Sequence, residues 1–401
     1  MSAPNETTAL PQEPDGRGPT DAPFSNGAPG IRPPGFFAGT WLIASLELRQ
    51  RLRSRTLWVL AIVWFAIIGI VTFAIWWTLV GLASGDPDSG GALNAFPLFS
   101  VIVYFVLLFG TLVAPAISAG SIGAERTGGT LATTQVTLIS TWSILAGKTL
   151  AAWITGVAFI VVASPFVVLS LVVGEFRPAT LFFALIGLIL QIGLFTAIGV
   201  GLSAMINSQV FAIVTAYLVV AALSIGTLIA FTLAVGTTVE YQQVTRTTFS
   251  DGYWQRTSEC DPATDSGCLV PLPGECTTNT SEEQVVHNER FWWILTLNPY
   301  VVLADMATTG GQDHADGDLF TVISSGVRFL QIPATSDAAD GCVVGEHPDA
   351  RVEAQADDFS GQPYWWVGIL LQSALAAGAL AGGYARLRTP ARSIPKGTRV
   401  A

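Results

Sequence analysis

Gly123 to Lys148 reads GAERTGGTLATTQVTLISTWSILAGK, a polar and amphipathic interlude between two long apolar runs. Its reading decides the fold. A chain that only left a membrane and returned would need a few turn residues here. This chain spends a helix-length surface instead. The pattern predicts a segment that rests against something other than lipid, on the face where a soluble partner can push.

Working outward, the composition is that of a membrane protein. Hydrophobic residues are 51% of the 401 and charged residues 12%, about half the charge of an ordinary soluble chain. Six runs are long enough to cross about 30 Å of hydrocarbon. They are approximately Leu57–Leu82, Leu93–Ile122, Thr149–Val173, Thr180–Ala204, Val210–Val235 and Tyr364–Tyr384. The second contains Pro97 and Pro115, which predict a kinked or interrupted helix because each proline removes a backbone donor. Arg49, Arg51, Arg53 and Arg55 precede the first run, Arg126 and Lys148 bracket the quoted loop, and Arg386, Arg388, Arg392, Lys396 and Arg399 follow the last. The loop Ser84–Gly91 is acidic and has no basic residue. Basic flanks mark the cytoplasmic side, so both termini are expected there.

Residues 1–35 are rich in Pro, Gly, Asp and Ser and are expected to be a disordered cytoplasmic tail without a secretory signal. In Phe36–Thr56, the residues Phe37, Trp41, Leu42, Ser45 and Leu48 can share one helical face, with arginines on another. That pattern fits a helix lying in the membrane interface; it also fits an extension of the first span. Residues 36–236 then carry this helix and spans one to five, 363–386 the sixth span, and 387–401 a second cytoplasmic tail.

Residues 237–362 have the composition of a soluble, acidic insert on the far side. All four cysteines, Cys260, Cys268, Cys276 and Cys342, fall within it. Cysteines confined to an external segment predict two disulfides, with three pairings open. Zinc is the competing reading, but neither a CxxC nor an HxxxH pair is present. Asp313–Asp318 reads as a solvated turn rather than a calcium loop. Phe291–Asp305, FWWILTLNPYVVLAD, is unusually apolar for a loop. It reads either as two short helices on the outer membrane face, broken at Asn298-Pro299, or as core of the insert.

The six apolar runs hold no Asp, Glu, Lys, Arg or His away from their ends, which argues against a proton-coupled carrier. Gln191 and Asn207 read as interhelical hydrogen bonds or helix ends. Gly193, Ala197 and Gly201 in the fourth run, and Ala374, Gly378 and Gly382 in the sixth, form small-residue ridges for close packing. Gly147-Lys148-Thr149 ends like a phosphate-binding loop, but the first glycine of that pattern is replaced by Trp142. No catalytic residues or metal ligands are expected, and any energy source must lie in another chain.

Glu125-Arg126, Gly129-Thr130-Leu131, Thr137, Ser140, Trp142 and Gly147-Lys148 together resemble the cytoplasmic loop of ABC-2 type transporter permeases, without a gap in the spacing. Leu138 stands where that family commonly has Pro, and Thr141 where it has Arg or Lys. The plan of an amphipathic helix, six spans and an apolar Asn-Pro segment before the last span is similar too. The resemblance implies an all-α polytopic fold in a bacterial plasma membrane; the large acidic insert, expected from its cysteines to be disulfide-stapled, is not shared with the family's short members. It implies the permease subunit of an ATP-driven exporter, not itself an enzyme. ATP and Mg would be bound by a separate cytoplasmic ATPase, and a second permease subunit would complete a homo- or heterodimer. The ten loop residues just named would couple to that ATPase through a short helix capped near Thr130. Uncharged, Phe- and Trp-rich spans suggest a hydrophobic or amphipathic cargo, and nothing suggests nucleic acid. The alternative function is a membrane-anchored sensor or binding protein that works through its acidic insert.

Overall fold

In the computed structural model, residues 34–83, 96–127, 139–173, 178–258, 266–309, 318–332, 342–344 and 362–387 are described. The N-terminal and C-terminal tails, most of the quoted loop (128–138), Cys260 and the Asp313–Gly317 turn lie outside them. Ser54, with extended backbone, separates helix α1 (Phe36–Arg53) from the first span, α2 (Arg55–Ala83). The segment before the first span is therefore a helix of its own. It packs along the third span, against which Gly39 and Ala44 are buried.

The second span is interrupted. Helix α3 (Phe96–Ser118) continues one turn beyond Pro115, stops, and restarts as α4 (Ser121–Thr127). The third span, α5, covers Thr141–Val173 and begins eight residues before the apolar run. Ser140 provides the start signal, since its hydroxyl accepts from the Ser143 N–H at 3.1 Å. Pro165 sits inside this helix and leaves the Val161 carbonyl without its usual donor. The Ser164 hydroxyl donates to that carbonyl at 2.8 Å, a local repair suited to a medium without water. The fourth span is α6 (Pro178–Met205). The fifth, α7 (Gln209–Gly236), contains a π-helical turn over Ala222–Gly226. The sixth, α11, is Trp365–Leu387.

Six of these helices are long and apolar enough to span a bilayer. The core lies around α3, where Leu98, Ile102 and Leu107 are fully buried. Trp64 of α2 stacks on Phe109 at 3.9 Å and donates its indole N–H to the Phe159 carbonyl at 3.2 Å. Exposed residues such as Ile70, Trp77, Val210 and Leu233 leave broad apolar faces on α2 and α7 for lipid. Helices α6 and α11 meet most intimately. A Cβ on Gly201 would lie 2.5 Å from the Ala379 backbone, and one on Gly383 would lie 2.7 Å from Ala204. The ridge on the sixth span thus runs through Ala376, Ala379 and Gly383. Of the expected ridge residues, Gly382 touches Met205, while Gly378 faces open space.

The insert departs from the all-α expectation. Strands β1 (Val239–Phe249) and β2 (Cys276–Val286) pair antiparallel from Val239–Val286 to Phe249–Cys276. Between them lies the short helix α8 (Asp251–Thr257). Threonine-rich strands supply the cross-strand hydroxyl pairs Thr245–Thr280 and Thr247–Thr278 at 3.1 and 3.3 Å. At the loop end of the ribbon, away from α7, Cys276 is bonded to Cys342, and Cys268 is also disulfide-bonded. Among the described residues no group of three or more His, Cys, Asp or Glu is placed to hold a metal ion.

Phe291–Asp305 does not rest on the outer face of the bundle. A 3-10 segment (Trp292–Leu297) leads into α9 (Pro299–Thr308), nearly all of which is buried. Leu303 lies against Gly187 of α6, Val302 against Gly368 of α11, and the Tyr104 hydroxyl donates to the Tyr300 carbonyl at 3.2 Å. The segment is a plug in the far end of the bundle, covered by α10 (Leu319–Phe329), whose Phe320 packs on Phe99 and Tyr104.

Candidate functional site

At the end of the bundle where α1 lies, three elements meet: α1, the restarted helix α4 and the first turns of α5. Gly147 makes the meeting possible. A Cβ there would sit 2.7 Å from the Ile43 Cβ and 2.8 Å from the Thr40 carbonyl. Gly39 of α1 faces Ser143 of α5 in the same way, at 3.2 Å. Two glycines thus let the helix backbones approach.

Close approach brings charges together. Lys148 is 2% exposed, and its Nζ bonds both the Glu47 carboxylate of α1 and, at 2.6 Å, the Glu125 carboxylate of α4. Glu47 in turn holds the Arg51 guanidinium at 2.8 Å, and Arg51 donates to the Thr155 hydroxyl at 3.3 Å. Burial pulls Arg51 down from its ordinary value, and the Glu47 charge and hydrogen bond oppose that fall. Among the described contacts two acids meet two bases, and pairing of this kind is the condition under which buried charge is tolerated.

The sequence-derived site is distributed across this junction. Glu125 and Lys148 are in direct contact. Ser140 caps α5, and its hydroxyl pairs with that of Ser143 at 2.7 Å. Trp142 is half exposed and stacks on Tyr384 of α11 at 4.5 Å. Arg126 lies in α4; its side chain is outside the described set, as are Gly129, Thr130, Leu131 and Thr137. The notable correction concerns Lys148, which is a buried residue in the third turn of a span rather than a loop residue at its head. Glu47 had no place in the sequence reading, and Arg51 entered it only as a basic flank of the first span. Their signal was available: Glu47 is the sole acid in Phe36–Thr56 and stands four residues before Arg51.

A second buried ionic group closes the opposite end. Asp305 of α9 is fully buried. Its Oδ1 accepts from Arg328 at 2.7 and 2.8 Å and from the Ser324 hydroxyl at 3.0 Å. Its Oδ2 accepts from the backbone N–H groups of Tyr364 and Trp365 at 2.6 and 2.8 Å. Asp305 thereby caps α11 from a different element, satisfying donors that no intrahelical carbonyl can reach. Beside it, Asn298 caps α9 through Oδ1, and its Nδ2 donates to the Ser224 carbonyl at 2.7 Å and the Thr227 hydroxyl at 3.1 Å. Asn298 therefore ties the plug to the π turn of α7, the place where the regular ladder is broken.

Between these two ends the interior is apolar apart from amides and hydroxyls. Gln372 donates to the Leu297 carbonyl at 3.1 Å. Gln191, expected as an interhelical hydrogen bond or a helix end, is fully buried inside α6, and neither amide atom meets a partner among the described residues. Asn207 stands in the short turn between α6 and α7.

A family model described as "ABC-2 family transporter protein" matches residues 41–341, about three quarters of the chain. The match runs from α1 through the first five spans and into the insert. No curated protein sequence matches the chain.

Proposed function

Because the chain belongs to the ABC-2 transporter family, a multi-pass membrane protein of six apolar helices, we propose that it is the permease subunit of an ATP-driven exporter. ATP and Mg are bound by a separate cytoplasmic ATPase, and a second permease subunit completes the pathway. Both termini and the α1–α4–α5 junction face the cytoplasm of a bacterial cell.

The observation that carries this reading is Lys148 bridging Glu47 and Glu125. The stretch Thr127–Ser140 joins α4 to α5, so a partner pressing on it loads both helices at once. Lys148 and Gly147 then pass that load to α1, because the three elements share one buried ionic cluster. Beyond the paired cluster of Lys148 and Glu125 at their cytoplasmic ends, the spans carry no charge in their middles, which favours a hydrophobic or amphipathic cargo over a small ion.

The test is reconstitution of the full chain with the ATPase that co-purifies with it in mild detergent. Cargo-stimulated ATP hydrolysis and ATP-dependent movement of an amphiphile are expected. Failure of any ATPase to co-purify, together with transport that follows the proton gradient without ATP, overturns the reading.

A further inference from the structure

An apolar groove with a cavity volume of about 140 Å³ opens beside the junction, between α2 and α5. Leu57, Trp58 and Ala61 form one wall and Ala158, Phe159 and Val162 the other. Phe159 is buried at the floor, while Trp58 and Leu52 are exposed at the rim. The Trp58 indole N–H donates to the Leu52 carbonyl at 3.0 Å, so the ring is pinned across the Ser54 bend with its polar edge toward the bend. Tryptophan adopts this arrangement where hydrocarbon gives way to headgroups.

The lining of the groove is uncharged, and the nearest charges in sequence follow Leu52 at one end. Leu52 and Leu57, both lining residues, flank Arg53, Ser54 and Arg55. Arg49, Arg53 and Arg55 are exposed and form no ion pair among the described residues. Glu47, the only acid of this segment, is already engaged by Lys148 and Arg51. Thr155 lines the groove and accepts from Arg51, so the groove touches the buried ionic cluster. An apolar slot whose lining residues Leu52 and Leu57 bracket two exposed arginines with no ion pair among the described residues is complementary to one class of membrane component.

We propose that this groove is a binding site for an anionic phospholipid, with an acyl chain between α2 and α5 and the phosphate at Arg53 and Arg55. The site needs only that the chain be embedded in a membrane, and it stands or falls independently of the exporter reading. Occupancy would brace the Ser54 bend and hold α1 in the position that the Lys148 cluster requires.

The experiment uses the full chain in phosphatidylcholine vesicles doped with a trace of photoreactive lipid, bearing a diazirine on one acyl chain. The dopant is phosphatidylglycerol in one arm and phosphatidylcholine in the other. Cross-linked peptides are mapped by mass spectrometry without ATP. Phosphatidylglycerol is expected to label Leu57–Ala61 and Ala158–Val162 well above the exposed faces around Ile70 and Leu233. Phosphatidylcholine is expected to label these sites evenly. Arg53→Ala with Arg55→Ala should cut the phosphatidylglycerol preference about thirtyfold, roughly fivefold for each arginine. Ala158→Phe should block the groove while leaving the other faces labelled. The arginine variants are at exposed positions, so the test survives if Ala158→Phe fails to fold. Equal labelling by both lipids, no labelling of the groove by either, a preference that survives arginine removal, or displacement by millimolar inorganic phosphate would each overturn the proposal.

Discussion

Replacing Lys148 by Met should release α1 from the bundle, and the structure sets the size of the effect. The Lys148 side chain is 3% exposed, Glu47 15% and Glu125 28%. Removing the shared cation takes the described ion-pair partner from Glu125 and leaves Glu47 with Arg51. Breaking a buried pair costs about 3–5 kcal/mol, and the partial exposure of Glu125 places this case near 3. That corresponds to a roughly 150-fold rise in the detached population. Ala44, on α1, is 2% exposed. A cysteine placed there reports detachment through its rate of maleimide labelling in membranes, since the described native cysteines are disulfide-bonded and labelling tracks the open population when reclosing is fast. Glu125→Gln alone should raise labelling only about fivefold, because Lys148 keeps Glu47 and a partly exposed pair is worth about 1 kcal/mol. Combining Glu125→Gln with Lys148→Met leaves the neutral Glu47–Arg51 pair. The double variant should therefore label more slowly than Lys148→Met alone, a non-additivity that only a shared cluster produces. Labelling of Lys148→Met within threefold of the parent, or a double variant faster than the single, refutes the reasoning.

Three further outcomes follow from the same contacts. Gly39→Cys with Ser143→Cys places two Cβ atoms about 3.2 Å apart, near disulfide range; oxidation should lock α1 to α5 and leave ATP-dependent transport largely intact, and loss of transport only on oxidation would show that the two helices slide during turnover. Asp305→Ala should accelerate unfolding in detergent by an amount corresponding to about 3–5 kcal/mol, since it strands the Arg328 guanidinium, whereas Asp305→Ala with Arg328→Met should unfold more slowly than the single variant. In the insert, hydrogen bonds from Arg256 and the Leu272 N–H hold the Glu275 carboxyl at about 2, below its usual 4.5; its stabilisation is therefore full above pH 4.5 and is lost as pH falls toward 2, and acid-protease cleavage of the insert should rise across that window in the parent but stay flat with pH in Glu275→Gln.

Hydrophobicity made the spans legible, and it failed where polar residues continue a helix. The apolar run of the third span starts at Thr149, yet α5 starts at Thr141, because Ser140 caps it and α1 buries the polar turns between. Lys148 looked like a flank for the same reason. A single sequence shows a lysine's charge but not the two carboxylates, 23 and 101 residues away, that make its burial possible. Phe291–Asp305 was legible as apolar and broken at Asn298-Pro299. Its burial was not, since the receiving surface is built by Gly187 and Gly368 on two distant spans. The alternation of the Thr-rich strands and the pairing of Cys276 with Cys342 depend on contacts 66 residues apart in the case of the disulfide, beyond the reach of local pattern.

The distribution of charge limits how such a bundle can move. Both ends are fastened by buried ion pairs, Lys148 with Glu47 and Glu125 at one and Asp305 with Arg328 at the other. The interior between them has apolar contacts, a few amides and the π turn of α7. Hydrogen-bonded charge pairs are directional and lose their contact within a displacement of a few Å, whereas apolar side chains can slide with little change in buried area. A motion that kept both ends intact must therefore tilt whole helices about their fastened ends. It cannot draw α5 past α1 or lift α9 from α11. The π turn is hydrogen-bonded to the plug through the Asn298 amide and packs Leu223 beside Leu297, and α7 presents its apolar face outward. The fifth span is thus the element whose middle can change at the least cost in buried charge, while α1, α4 and α5 travel as one body.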